Sequence, residues 1–447
     1  MRPLSLAAGD GLRYSAAHSM ADTPSVLASS VFRHRDFRLY QIARLCAVLA
    51  AQIESVAIGW QVYELTGSAL ALGYTGLSQF VPFLAFSLLG GQVADRYDRR
   101  RILAICQGVM LVCSLLLLSF TLGHVTDVRF VYGVLVLFGT ARAFYAPAGS
   151  ALTPYLVPPE ELTRAVAVNS TTWQVATIAG PAVGGLLYGW LGGKGVYLTS
   201  ASLCALTIVW ILSLKVRTGS ASREPISLTT LVAGLRFVRQ KRLLLGSLTL
   251  DLFAVLLGGA VALLPIYARD VLQTGPWGLG LLRSAPAAGA AVVAVLLAFR
   301  PLGGHAGWKM FGAVAVFGAA TLVFGLSRSL PLSLVALAIG GAADMVSVVV
   351  RHTLELVSTP DDMRGRVGAV NMMCIGASNE LGEFRAGSLA EALGAVHAVV
   401  IGAVGTLIVV GLWAWLFPEL RNVDRLESAA HRPPRPEQDP AESAPSV

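Results

Sequence analysis

The chain has 447 residues, of which 55% are hydrophobic and only 13% charged, with 34 basic and 26 acidic side chains and a formal net charge of +8. Soluble domains carry roughly 25% charged residues, so these side chains cannot cover one to three soluble domains, and the mean hydropathy of +0.66 agrees. A soluble enzyme and a disordered chain are excluded, the bilayer is the expected solvent, and the scatter of basic residues in short clusters excludes a nucleic-acid partner.

Residues 1–30 lack the continuous apolar core of a secretory signal. They read as a disordered cytoplasmic tail, with Met20 as an alternative start to Met1. Twelve blocks of the length a membrane-crossing helix needs then follow, at about 39–63, 69–93, 102–123, 130–157, 165–191, 196–214, 243–268, 277–299, 310–327, 331–357, 367–394 and 396–417. The expected fold is an all-α polytopic membrane protein of twelve transmembrane helices in two pseudo-symmetric six-helix halves. The halves are residues 31–214 and 243–417, separated by the one long connection, 215–242. The tail 418–447, rich in Pro, Glu, Ser and Ala, is expected to be disordered.

Orientation follows from the loop cations. With a cytoplasmic N-terminus, 25 of the 34 basic residues fall in inner loops and tails, against Arg129, Lys194, Arg269 and Arg328 outside. Both termini are expected inside. In the central connection Leu228, Leu231, Leu235 and Val238 repeat at helical spacing among Arg236, Arg239, Lys241 and Arg242. That pattern predicts a basic amphipathic helix on the inner membrane face, where anionic lipid attracts it. A solvated linker is the alternative.

An internal repeat supports the division. The run from Pro159 through Glu160, Glu161 and Arg164 to Asn169 is echoed, with one inserted residue, from Pro360 through Asp361, Asp362 and Arg366 to Asn371. Each copy joins a fourth span to a fifth. Duplicated halves of this kind place a substrate site between them near the midplane.

After the second block come Gly91, Asp95, Arg96, Asp98, Arg99, Arg100 and Arg101. Their spacing resembles the signature loop of the major facilitator superfamily, GxLxDRxGRRxxL, with Asp98 in place of the final glycine. The resemblance implies a cytoplasmic latch between the second and eleventh helices, with Asp95 as its acidic member. The equivalent loop of the second half, Arg300 to Lys309, has no acid, so the latch is one-sided. In the fifth block Gly180, Pro181, Gly184 and Gly185 combine bending with close packing and resemble the GPxxGG core found in family antiporters, mostly exporters. Further segments, Asp36 to Tyr40, Trp60 to Ser68, Asp251 to Phe253 and Leu281 to Pro286, resemble the enterobactin-exporter-like branch, which includes siderophore and macrolide efflux proteins.

A charge at mid-bilayer costs about 2.5–3.5 kcal/mol on insertion scales, so retained charges are functional candidates. Those for proton coupling are Glu54, Arg142, Asp251, Asp344, Glu380 and Glu383. Two roles fit Glu54: a carboxyl that exchanges a proton or binds a cationic substrate, and a carboxylate permanently paired with Arg142 or another base. Asp344 and Arg351 lie two turns apart, about 10 Å by helix rise, and are expected to serve other helices. Glu380 and Glu383 are neighbours at i+3 and cannot both ionise cheaply, which suits a structural or gating role slightly better than coupling. Arg385 faces elsewhere, while Arg44 and Glu355 lie near helix ends, where snorkelling accounts for them. For the substrate path the candidates are Gln52, Trp60, Gln61, Tyr145, Asn169, Trp173, Arg283 and Asn371, with Gln174 and Asn379.

Five cysteines within apolar blocks without a CxxC pair, and scattered histidines, point to no metal and no cofactor; no phosphate-binding GxxxxGK[ST] occurs. The expected function is proton-coupled export of a small amphipathic molecule, a drug or siderophore-like compound, by a monomer whose other partners are protons and membrane lipid. An importer or uniporter on the same fold, or a non-transporting sensor or scaffold, are the competing readings.

Overall fold

The structure, a computed structural model, describes residues 31–216, 228–300, 303–360 and 363–424. The N-terminal tail with its two start residues, and residues 425–447, lie outside that description.

The long helices are α1 (Arg35–Thr66), α2 (Ala69–Arg96), α3 (Arg99–Leu122), α4 (Val128–Leu152), α5 (Leu162–Leu212), α6 (Leu228–Gln240), α7 (Arg242–Gly258), α8 (Gly275–Phe299), α9 (Ala306–Leu326), α10 (Leu330–Ser358), α11 (Arg364–Leu393) and α12 (Ala395–Leu416). Among the described residues, ten helical segments are long and apolar enough to cross a membrane. One of them, α5, is two arms in a hairpin. The break is Gly192, at φ 65° and ψ −171°, a conformation that favours a residue without a β-carbon. Both ends of α5 reach the start of α1. Glu161 lies 3.2 Å from His34, and the amides of Lys215 and Val216 donate to the Asp36 carboxylate at 3.0 and 2.8 Å. The remaining span is α11, which misses the apolar criterion because Glu380, Glu383, Arg385 and Glu391 sit within it. With the two arms of α5 counted separately and α11 added, the described residues hold twelve spans.

The two halves pack alike. In the first, α1 lies on α5, α2 on α4, and α3 on α4 and α5; in the second, α7 lies on α11 and α12, α8 on α10, and α9 on α10 and α12. The correspondence extends to atoms. A β-carbon on Gly139 of α4 would meet the Gln79 carbonyl at 2.2 Å, and one on Gly341 of α10 the Pro286 carbonyl at 2.0 Å. The Asn169 amide donates to Thr153 at 2.9 Å, and the Asn371 amide to Glu355 at 2.8 Å. Ser200 Oγ lies 3.2 Å from the Ala50 carbonyl, and Thr406 Oγ1 lies 3.0 Å from that of Ala254.

We call the end carrying residues 31–36, the central connection and residue 424 the terminal face, and the other the distal end. At the distal end one apolar core spans both halves, from Ile53, Leu72 and Tyr197 to Leu263, Leu279 and Ala386. Toward the terminal face it divides into separate clusters, around Leu103, Leu152 and Ile211 in the first half and Met310, Val350 and Leu354 in the second. The halves are therefore joined distally and part toward the terminal face.

Two expectations change. Helix α6 turns an apolar face to protein: Gly234 abuts the Arg366 carbonyl, and Val238 is buried with Leu244, Leu248, Val367 and Val370. Leu235 is exposed with Arg236 and Arg239, while the side chains of Leu228 and Leu231 lie outside the description. Residues 418–424 are ordered rather than disordered. A short helix, Pro418–Arg421, leads to Asp424, which accepts from the His305 amide at 2.8 Å and receives the Ala306 amide on its carbonyl at 3.0 Å. A carboxylate at a helix N-terminus satisfies its free amides, which accounts for the ordering.

Replacing Gly139 by Ala sets a methyl group against the Gln79 backbone, whereas Gly133 faces open space. Gly139→Ala is expected to cost about 1–3 kcal/mol through overpacking and lower the thermal unfolding midpoint in detergent. Gly133→Ala, which only gains helix propensity, leaves that midpoint unchanged or raises it.

Candidate functional site: a charged cavity between the halves

Where the halves part, they enclose a cavity of about 420 Å³. The first half supplies most of its wall, with α1 from Ala47 to Gly59, α2 from Leu72 to Gln79, α3 at Gln107 and Met110, α4 from Leu135 to Tyr145, and α5 at Trp173, Thr177 and Pro181. The second half adds Val261 to Pro265 after α7, Arg283 and Pro286 of α8, and Glu380 and Glu383 of α11. Phe138, Tyr145 and Trp173 give it aromatic surface for an apolar body.

Glu54 lies on this wall, 4% exposed. Ser114 of α3 and Ser200 of the second arm of α5 each donate to its Oε2 at 2.5 Å. No cation lies within 4 Å of it among the described residues, so the pairing with Arg142 is not formed. An isolated buried carboxylate costs several kcal/mol unless it takes up a proton or gains a partner. Two hydroxyls offset part of that cost and fix the side chain at the cavity edge.

Glu380 and Glu383 meet the opposite wall. Both Oε2 atoms converge on Gly76 of α2, where a β-carbon would stand 2.8 and 3.0 Å from them. Arg142 and Arg283 act on this pair electrostatically, yet neither reaches 4 Å of it. Arg142 instead covers the Phe83 ring at 5.5 Å, and Arg283 donates to Ser55 of α1 at 3.0 Å. The cavity thus holds three acids and two arginines without a direct ion pair among them, an arrangement able to exchange protons or receive a charged group.

Of the sequence candidates, Gln52, Glu54, Arg142, Tyr145, Trp173, Arg283, Glu380 and Glu383 line the cavity. The others do not. Asp251 forms a buried ion pair with Arg351, their side chains 9% and 3% exposed, between α7 and α10. Asp344 makes no hydrogen bond or ion pair among the described residues and lies outside the cavity wall. Trp60 stacks at a tilt against Tyr188, and Gln61 is held by Thr121 and Tyr197 at 3.0 and 2.7 Å. Asn169 is held by Gln41 and Thr153, and Asn371 by Glu355. Gln174 braces the halves through the Ala287 carbonyl at 2.7 Å, and Asn379 is exposed. Glu355, expected to snorkel, is 9% exposed and bonded to Asn371. Arg385 takes the carbonyls of Leu256 and Leu257 where α7 ends, a C-terminal cap.

Sequence reading passed over Ser55, Thr75, Gln79, Gln107 and Thr177 of the wall, and the two serines that hold Glu54. Gln107 is 1% exposed. An amide in an otherwise apolar helix run was the available signal.

The motif residues are built into contacts. Asp98 caps α3 by accepting from the Arg100 amide at 3.0 Å, so the departure from glycine supplies an N-cap. Arg99 is 3% exposed with its guanidinium 4.8 Å from the Tyr155 ring, and Arg100 donates to the Leu214 carbonyl. Asp95 is half-buried in the last turn of α2, where Arg96 is exposed and Gly91 faces open space. In α5, β-carbons on Gly180 and Gly184 would strike Gln52 and Ile53 of α1 at 2.5 and 2.9 Å. Gly185 and Gly280 of α8 press together, each β-carbon position within 3.0 Å of the other's Cα.

Two six-span halves with a charged cavity between them form the fold of a major facilitator superfamily transporter, a multi-pass membrane protein. A family model described as transmembrane secretion effector matches residues 26–443, and the chain belongs to that family. It is 28% identical over 405 residues to the multidrug efflux pump Tap of Mycolicibacterium fortuitum, covering 86% of this chain and 96% of Tap. It is 27% identical over 401 residues to the enterobactin exporter EntS of Escherichia coli (strain K12), covering 87% and 93%. Among solved structures, a point mutant of the nucleoside transporter NupG superposes with a TM-score of 0.70 at 13% identity, over 86% of this chain and 100% of that one. A bacterial homologue of the iron transporter ferroportin in its inward-facing state superposes at 0.65 and 14% identity, over 87% and 99%.

The buried Asp251–Arg351 pair gives a stability test of its own. Asp251→Asn or Arg351→Met alone strands one buried charge and is expected to cost about 3–5 kcal/mol. Asp251→Leu combined with Arg351→Met removes both charges and is expected to recover most of the thermal midpoint.

Proposed function

We propose that this chain exports a small amphipathic molecule from the cytoplasmic membrane of a bacterium in exchange for protons, as a monomer with both termini cytoplasmic. The observation that carries the coupling is Glu54: a carboxyl on the cavity wall, held by Ser114 and Ser200, with no cation within 4 Å among the described residues. Such a group binds a proton when its surroundings are apolar, and releases it when water or a cationic group of the substrate reaches it.

Export is supported by the two relatives named as an efflux pump and an exporter, each matched over most of its length. The loop cations support a cytoplasmic terminal face; on that reading the parted side of the cavity faces the cytoplasm and inner leaflet, from which an amphipathic solute enters. Glu380 and Glu383 offer its polar end an acidic wall, and Phe138, Tyr145 and Trp173 offer its apolar body an aromatic surface. Closure of the terminal face, with Asp95 joining the latch to α11, then opens the distal end. Protonation of Glu54 from that side favours the return. Anionic lipid binds the exposed face of α6 at Arg236 and Arg239.

The test is flux in everted vesicles and proteoliposomes with a panel of fluorescent amphipathic drugs. An inside-acid gradient is expected to drive accumulation in everted vesicles. Glu54→Gln is expected to abolish substrate-dependent proton movement while leaving drug binding within about threefold. Undiminished coupling in Glu54→Gln refutes the assignment of the proton to this residue. Gradient-independent equilibration of the drugs refutes antiport.

A further inference from the structure

The first and seventh spans correspond in the repeat, as the contacts at Ala50 and Ala254 establish. The same register pairs Tyr63, near the distal end of α1, with Tyr267, in the extension of α7. Their hydroxyls have separated in role. Tyr267 is fully buried and donates to the Gly325 carbonyl of its own half at 2.9 Å, with its ring 4.5 Å from that of Phe324. Tyr63 instead crosses between halves and donates to Asp270 Oδ2. Arg269 completes the contact: its guanidinium lies 5.5 Å from the Tyr63 ring centre, 3.9 Å from Asp270, and 3.5 Å from the Tyr63 carbonyl. Asp270 and Arg269 sit in a π-helical turn, Tyr267–Val271, the wound segment that interrupts the regular helix after α7. Such turns store a local register shift and occur often at functional sites.

From this asymmetry we propose that Tyr63, Asp270 and Arg269 form the exit latch of the transporter, positioning residues that hold the distal end shut while the cavity is loaded from the terminal face. The direction of exit rests on the orientation proposed above; the latch itself does not depend on substrate or proton. A hydrogen bond within one half survives when halves rock as rigid bodies, so Tyr267 is structural. A hydrogen bond between halves cannot survive that motion, so the Tyr63 hydroxyl biases the equilibrium between the two states. Removing a hydrogen bond to a charged acceptor shifts such an equilibrium by about tenfold, enough to be read in a labelling experiment.

The experiment uses the full chain in intact cells with Thr177→Cys, a cavity position, as reporter and an impermeant maleimide added from outside. Labelling of the chain without the reporter is subtracted. Tyr63→Phe and Asp270→Asn are each expected to raise the labelling rate about fivefold to tenfold, with no further increase when combined. Tyr267→Phe, the repeat-mate, is expected to lower the thermal midpoint and leave the rate unchanged. Unchanged labelling in both latch variants, or an equal rise in Tyr267→Phe, overturns the proposal. High labelling of the reporter with the latch intact contradicts the orientation instead. If one latch variant fails to reach the membrane, the other reads the same contact from its opposite side.

Discussion

Close approach of glycine to glycine at the distal end is the constraint from which the rest of the structure follows. Gly185 of α5 lies on Gly280 of α8, and Gly387 of α11 lies on Gly73 of α2. In the repeat these are one contact made twice: Gly185 corresponds to Gly387 and Gly280 to Gly73, by the registers that relate Gly139 to Gly341 and Gln79 to Pro286. Side chains at either seam would hold the helices apart, so small residues there allow the backbone contact on which helix association in lipid depends. With two such seams at one end, the halves meet in a single core distally and diverge toward the terminal face, and a cavity is the geometric consequence.

The repeat governs backbone packing but not charge. Arg142 and Asp344 occupy equivalent positions, three residues after Gly139 and Gly341, with opposite signs. The positions equivalent to Glu380 and Glu383 are Ile178 and Pro181, and that equivalent to Glu54 is Gly258. Asp251 and Arg351 correspond to Ala47 and Gly149, so the buried ion pair belongs to the second half alone. Symmetry therefore accounts for the hinge surfaces, and departures from it account for the chemistry. The proposed proton site is in the first half, the acidic wall is in the second, and the cavity lies where they face each other.

Spans, halves and repeat were legible in the sequence because hydropathy and glycine spacing are local signals. The echo ending at Asn169 and Asn371 found two equivalent amides, which hold the fourth span to the fifth and the tenth to the eleventh instead of lining a path. The sorting of intramembrane charges was not legible. Glu54 and Asp251 look alike in sequence, each an acid in an apolar run, and differ only in what lies across the helix interface. The partner of Asp251 is a base one hundred residues away, whereas Glu54 meets two serines that no pattern distinguishes from packing residues. Gln79 and Gln107 stand out as amides in apolar runs, but nothing in the sequence says that they face a cavity. The hairpin at Gly192 was visible only as a short loop, because a single left-handed residue turns the chain there.

The cavity charges are mounted on the seams, and this ties chemistry to motion. Gly184 seats α5 against the Ile53 backbone, one residue from Glu54, while the adjacent Gly185 forms the seam with Gly280. Three residues beyond Gly280, one turn along α8, Arg283 reaches back to Ser55 beside Glu54. On the other side, Glu380 and Glu383 sit against Gly76, one turn from the Gly73–Gly387 seam. Helices are stiff over one turn, so parting either seam moves the charges beside it. Opening the α5–α8 seam must stretch the Arg283–Ser55 bond and change what Glu54 faces; opening the α2–α11 seam must lift the acidic pair from Gly76. On the proposed mechanism no relay of side chains between distant sites is needed, since the seams and the cavity charges lie on the same turns of the same helices.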